Sequence, residues 1–312
     1  MPSSPAQIAD ILRQRLDPAS LIQVEQPLAK RTTLRVGGKA DIYVEPVSEA
    51  DLAIVLKTAR ELSQPVTMLG RGSNLLIRDG GIRGVVICLA QAAFSQIVVE
   101  GDRLRCGAGA RLKAVSVEAR RAGLAGLEFL EGIPGSVGGA LRMNAGAMGV
   151  WTFHVVESLR YMTPEGDIED HPATEVESRY RCCPILKTHI ALSAVLRGTP
   201  SSTAEVGARM TAYSSKRWES QPAQPSAGCI FKNPATVPAG KLIDELGLKG
   251  TRIGGAVVSD VHGNFIVNEG NATATDVLRL IDLVRERIRA AKGLEMETEV
   301  EILGEDLPPR SS

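Results

Sequence analysis

The sequence predicts an α+β fold. Three observations carry this. Strand-like runs cluster at 66–69, 75–77, 84–88, 95–100 and 103–107 without alternating one for one with helices, so a regular βαβ array does not fit. Two glycine-rich segments, Leu69–Ile77 and Gly132–Gly149, interrupt the apolar pattern. A break rich in Pro and Ser at 219–228 separates a long N-terminal region from a shorter C-terminal one.

Along the chain, Ile8, Ile11, Leu12 and Leu16 give a short helix at 6–16. Thr32–Asp41 leads into a strand at Ile42–Val44. Ser48 is placed as the N-cap of a helix at 49–62, with Leu52, Val55, Leu56, Ala59 and Leu62 on one face. After the strand cluster comes a helix at 111–122 that stops at Gly123. Strands follow at 155–162 and 189–197, with a turn at Thr163–Asp167, and then a helix at Thr203–Trp218. Beyond the break lie a helix at Ala239–Leu246, strands at Ala256–Val258 and Phe265–Val267, a helix from Asp276 to Ala291 stopped by Gly293, and a last strand at Glu299–Leu303. There is no internal repeat.

Composition narrows the function. The 312 residues exceed one small core and suit two or three lobes. With 36 basic and 36 acidic residues, no broad nucleic-acid surface is expected. No apolar run is long enough to insert in a membrane, and Met1–Gln7 lacks the features of a signal peptide. Five cysteines at irregular spacing (Cys88, Cys106, Cys182, Cys183, Cys229) fit a reducing, cytoplasmic location. No zinc spacing is present, and His154, His171, His189 and His262 are isolated in sequence, so no metal is expected.

The glycine segments point to chemistry. Gly132–Gly149 holds six glycines in eighteen residues, with Pro134, Ser136 and Asn144 at distinct points among them. Such a stretch builds no core and lets a ligand approach the backbone; the plainer reading is a long surface loop. In Gly70–Ile77, Gly70 and Gly72 follow a strand, but Leu75–Ile77 is another strand where a Rossmann fingerprint needs a helix. What survives is a strand–turn–strand whose amides can hold phosphate, or a simple tight turn.

These pieces, with Thr32–Asp41, Tyr180-Arg181, Gly228–Pro234, Ala239–Gly250, Arg252–Ala256, Asn268–Ala272 and Glu299-Val300, fall in a family order over nearly the whole chain. The chain resembles the UDP-N-acetylenolpyruvoylglucosamine reductase (MurB) family, in the subtype lacking an extra substrate-capping loop. The resemblance implies an FAD-binding domain of the vanillyl-alcohol-oxidase (PCMH) type at 1–218, in two lobes of about 1–85 and 86–218. It implies a smaller α+β substrate domain at 219–304, leaving 305–312 as a C-terminal tail. It implies non-covalent FAD, NADPH as hydride donor, and reduction of UDP-N-acetylglucosamine enolpyruvate to UDP-N-acetylmuramate for peptidoglycan. Nothing in it implies an oligomer.

By the same resemblance, Gly70, Arg71, Gly72, Ser73 and Asn74 form a phosphate-cradling turn. Gly132, Ile133, Pro134, Gly135, Ser136, Gly138 and Gly139 form a second wall, continued toward the flavin by Asn144 and Gly146. Arg181 faces the substrate carboxylate, and Glu299 supports the charge that develops beside it. Tyr180, Lys216, Lys232, Asn233 and Glu269 contact substrate. The chain departs from the family at Cys229, where the proton-donating position is usually serine. A thiol with a free pKa of about 8.5 can serve there. Alternatively Cys229 only packs, and Ser226 or a water donates. Two further readings stay open: another FAD-dependent oxidoreductase of the superfamily, or a non-catalytic flavin- or nucleotide-sugar-binding regulator.

Overall fold

A computed structural model describes residues 4–235 and 237–308. Their contacts divide the chain into two compact units, each with its own apolar core. The first comprises the residues up to 24, 42–71 and 84–217; the second comprises 25–41, 72–83 and 218 onward. A four-stranded sheet orders Leu21–Pro27, Lys39–Glu45, Ile82–Ile87 and Val66–Met68, and the chain passes from one unit to the other inside each of the first three strands. The strand Leu21–Pro27 has no counterpart in the sequence reading. Its residues are mostly half-buried, so it lacks the alternation that marks a strand.

In the first unit, a five-stranded antiparallel sheet runs in the order Ile168–Pro172, Val156–Met162, Ile190–Arg197, Arg103–Gly107, Ile97–Glu100. The central Ile190–Arg197 strand buries five of its eight residues, which is why it reads as a continuous apolar run. Helices α1 (Pro5–Arg15), α2 (Glu49–Glu61) and α3 (Leu112–Arg121) precede or follow its strands. Ser48 does cap α2, accepting from the Asp51 N–H at 3.1 Å, and Leu52, Val55, Leu56 and Ala59 are buried. The glycine-rich segment is not one loop. Val137–Arg142 forms a short helix, α4, capped by Ser136. Val137, Ala140 and Leu141 supply a helical stripe that the surrounding glycines obscure. Helix α5 runs Thr203–Ser220, two residues past the expected end.

In the second unit, an antiparallel sheet is ordered Ser226–Cys229, Phe265–Asn268, Ala256–Val258, Arg252–Ile253. Helices α6 (Ala239–Glu245) and α7 (Ala274–Lys292) complete it. Thr273 and Asp276 form a capping box at the start of α7, and Gly293 ends it in the left-handed conformation at φ 65°. Val277, Leu280, Ile281, Val284 and Ile288 are buried, each contributing roughly 1.5–3 kcal/mol, so the apolar face outweighs any single cap. The last strand, Glu301–Leu303, pairs in parallel with Leu75–Ile77. Of the tail expected at 305–312, Glu305 bridges Gly81 and Asp306 pairs with Arg78, while 309–312 lie outside the described residues.

Candidate active site

In the first unit, two backbone segments meet at Ser136. A Cβ on Gly70 would lie 3.3 Å from the Ser136 hydroxyl, and Arg111 bridges Ser136 on another side. The N–H groups of Gly70, Arg71, Gly135 and Ser136 have no protein acceptor among the described residues. Successive unbonded amides make a concavity suited to an anion. Desolvation, and then the like charge of Arg111, lowers the Arg71 pKa, although Cys88 acts the other way. Neither arginine has a carboxylate partner among the described residues. An incoming polyanion would relieve that repulsion.

The glycines of this region answer different demands. A Cβ on Gly132 would meet no atom within 4 Å, and φ there is not positive, so neither packing nor backbone conformation requires glycine. A Cβ on Gly139 would meet only the Ser136 hydroxyl, at 3.6 Å. These are the positions where a missing side chain leaves room for a ligand. A Cβ on Gly138 would instead meet Ala108 at 3.1 Å, and one on Gly146 would meet the Trp151 ring at 2.5 Å. Pro134 and Ile133 connect the open position to the Ser136 hub, with the Ile133 N–H bonded to the Leu130 carbonyl.

Asn144 is buried, with φ +38°, and its side chain is engaged at both ends. Nδ2 donates to the Arg179 carbonyl at 3.2 Å, and Oδ1 accepts from the Phe153 N–H at 3.1 Å. It thereby anchors a tight turn. Arg179 and Cys182 exchange backbone bonds of 2.7 and 3.2 Å, leaving Tyr180 and Arg181 at the tip. Arg181 takes φ +54°, the left-handed region that turns of this kind impose on their second central residue. A non-glycine residue held there costs on the order of 1 kcal/mol, a strain often found at functional positions. Arg181 is half-buried and Tyr180 is exposed; Lys216 lies exposed near the end of α5.

The second unit assembles the other candidates. Residues 229–232 run alongside 297–300: the Glu299 N–H donates to the Ile230 carbonyl at 2.8 Å, and the Lys232 N–H to the Glu297 carbonyl at 2.9 Å. This places Cys229 and Glu299, both half-buried, on neighbouring stretches. Asn74 joins them, donating through Nδ2 to the Glu299 carbonyl at 3.1 Å. Ser73 lies beside them, its carbonyl 4.0 Å from a Cβ on Gly228. Gly72 is required by close approach, since a Cβ there would meet the Arg31 carbonyl at 2.5 Å. So Gly72, Ser73 and Asn74 pack within this unit, whereas Gly70 and Arg71 belong to the first.

Sequence reasoning missed the residue that shapes the Cys229 segment. Asn264, nearly fully buried, accepts from the Phe231 N–H at 2.9 Å and donates to the Phe231 carbonyl at 2.8 Å. Its side chain imitates a paired strand, and no local sequence signal announces that. The Lys232 ammonium pairs with Glu297 at 2.8 Å, which holds the Glu297 carboxyl below its usual range. Asn233 accepts from the Ala239 N–H at 3.0 Å at the start of α6, and Glu269 pairs with Arg252. Among the described residues, no group of three or more His, Cys, Asp or Glu could hold a metal.

The comparisons with known proteins join these two halves to one family. A profile described as the C-terminal domain of UDP-N-acetylenolpyruvoylglucosamine reductase matches residues 221–303, and an FAD-binding-domain profile matches 40–171. The reductase of Geobacter metallireducens is 42% identical over 283 residues, covering 90% of this chain and 94% of that protein. That of Clostridioides difficile is 43% identical over 287 residues, covering 91% and 94%. The chain belongs to the UDP-N-acetylenolpyruvoylglucosamine reductase family. The solved reductase (MurB) of Thermus caldophilus superposes with a TM-score of 0.80 at 36% identity, covering 91% of this chain and 99% of that one. The FAD-binding profile spans Gly70 to Gly146, and the reductase C-terminal profile spans Cys229, Lys232, Asn233, Glu269 and Glu299. Tyr180, Arg181 and Lys216 fall between the two. The open glycine positions, unbonded amides and paired guanidiniums of the first unit fit the diphosphate of FAD.

Proposed function

We propose that this chain reduces UDP-N-acetylglucosamine enolpyruvate to UDP-N-acetylmuramate, with NADPH as hydride donor and FAD as cofactor, in peptidoglycan precursor synthesis. The observation that carries this is full-length agreement: 42% identity to a reductase over 90% of this chain and 94% of that protein. When bound, FAD supplies hydride transfer between NADPH and substrate, and the protein supplies position and charge.

Once the methylene carbon of the enolpyruvyl group has received hydride, negative charge spreads from the adjacent carbon into the carboxylate. We assign Arg181 to that carboxylate, where its rigid fork of donors suits two oxygens. Glu299 in its protonated form stabilises the same charge, and the Cys229 thiol delivers a proton to the carbon. Gly70, Arg71, Gly72, Ser73, Asn74 and the 132–139 segment are assigned to FAD; Tyr180, Lys216, Lys232, Asn233 and Glu269 are assigned to the nucleotide sugar. The functional division we propose keeps 1–218 for FAD and 219–304 for substrate. A nucleotide-sugar substrate and NADPH both point to cytoplasmic action, and no described helix is long and apolar enough to cross a membrane.

The test is NADPH oxidation with and without UDP-N-acetylglucosamine enolpyruvate, with the product weighed by mass spectrometry. The expected result is a yellow protein that releases FAD on acid precipitation and consumes NADPH in step with a product carrying an added pair of hydrogens. A colourless protein that FAD cannot reconstitute, or NADPH oxidation indifferent to this substrate, overturns the proposal.

A further inference from the structure

The second half of the glycine-rich segment is arranged around a side chain. Gly146 lacks a Cβ where Trp151 packs, since a Cβ would approach the ring at 2.5 Å. Strands Gly146–Ala147 and Val150–Trp151 pair, with Trp151 opposite Gly146. Just beyond, Thr152 donates to the Ala145 carbonyl through its N–H at 2.8 Å and its hydroxyl at 2.7 Å. The indole is thus fixed from both sides. The Arg181 guanidinium carbon lies 5.5 Å from the centre of the Trp151 ring and 5.4 Å from that of Tyr180. The two rings meet edge to face at 5.5 Å. Asn144 ties the Arg181 turn to Phe153, two residues from Trp151.

An arginine is long and flexible, and its use as a carboxylate clamp depends on the plane it presents. An aromatic pair packed against the guanidinium restricts that freedom. We propose that Trp151 is a positioning residue for the reaction, holding the Arg181 guanidinium in the orientation that receives the substrate carboxylate. Asn144 and Gly146 maintain the arrangement, the first by fixing the turn and the second by admitting the ring. The inference rests on the carboxylate role assigned to Arg181.

Anaerobic stopped-flow on the FAD-loaded enzyme separates the alternatives, following flavin reduction by NADPH and then reoxidation by the enolpyruvyl substrate. Trp151→Leu is expected to slow reoxidation about tenfold, while reduction by NADPH stays within about twofold of wild type. Trp151→Phe should recover most of the loss, because a ring face is restored. Gly146→Ala should resemble Trp151→Leu, because it displaces the indole. In the double variant Trp151→Leu/Arg181→Ala, reoxidation should be no more than about twofold slower than in Arg181→Ala, since the tryptophan acts only through the arginine. A wild-type reoxidation rate in Trp151→Leu, or additive losses in the double variant, overturns the positioning role alone. A wild-type rate in Arg181→Ala overturns the carboxylate assignment and the positioning role with it. FAD content and circular dichroism of each variant identify any that misfold, and Trp151→Phe then carries the test.

Discussion

At the scale of single residues, Cys229 decides the most. If its thiol delivers the proton, Cys229→Ala should abolish substrate-driven flavin reoxidation while FAD binding and reduction by NADPH persist. Cys229→Ser should keep much of the activity, since an alcohol can donate from the same place. The wild type should also be inactivated by alkylators, with substrate protecting it, and Cys229→Ser should resist. Competing thiols are limited: burial pushes Cys106 up to about 12 and also raises Cys183, so neither supplies much thiolate. Half-buried Cys88 and Cys182 remain as controls, to be located by peptide mapping. A near-wild-type single-turnover rate in the Ala variant would return Cys229 to a packing role. Cys229 and the other proposed site residues were named from the sequence because they sit in a fixed order of short motifs. Asn264 and Trp151 were not, because what they do depends on partners distant in the chain, Phe231 for one and Arg181 for the other.

At the scale of elements, helices were legible where an apolar face repeats over several turns, as in α2 and α7. Two-residue strands such as Arg252–Ile253 and Val150–Trp151 were not, because their pairing partners, not their composition, define them. The start of α7 shows the same limit. The capping box there is local, between Thr273 and Asp276, but Asp79 adds a second cap from 195 and 196 residues away, accepting from the Ala274 and Thr275 N–H groups at 2.8 Å and from the Thr275 hydroxyl at 2.7 Å. Asp79→Ala should lower stability by about 1–2 kcal/mol in urea unfolding, the usual range for a lost cap, and Thr275→Ala by less. Equal stability of Asp79→Ala and wild type would mean that the capping box suffices. Near α6, burial lowers the His262 pKa, Lys249 adds to this, and the ring's Nδ1 accepts from the Asn264 N–H at 3.1 Å. The fold therefore favours the neutral ring, so this contribution is complete above the unfolded pKa of about 6.5 and is lost as pH falls through the lower folded value. Stability measured from pH 7 downward should decline less steeply in His262→Gln; parallel profiles would remove His262 as a cause.

At the scale of the whole molecule, the chain does not divide where its composition changes. The break at 219–228 marks the last of five passages between the packed units, after 24/25, 41/42, 71/72 and 83/84. A linear reading sees that break because prolines and serines announce it. It cannot see that 25–41 and 72–83 pack with residues beyond 218, since such pairing leaves no local periodicity. The consequence is concrete for the C-terminal part. Leu34, Val36 and Leu76 belong to its buried core, Leu75–Ile77 is the partner of its last strand, and Asp79 caps its longest helix. A fragment of 219–308 would lose three buried aliphatic side chains, each worth roughly 1.5–3 kcal/mol, along with that pairing and that cap. Small domains are stable by only about 5–15 kcal/mol, so the deficit is of the same order as the whole. Expressed alone, 219–308 should show no cooperative unfolding transition by circular dichroism in urea, although a C-terminal-domain profile matches almost its entire length. Joining 25–41 and 72–83 to it through flexible linkers should restore the transition. Cooperative unfolding of the bare fragment would show that the interleaved segments are dispensable to its core.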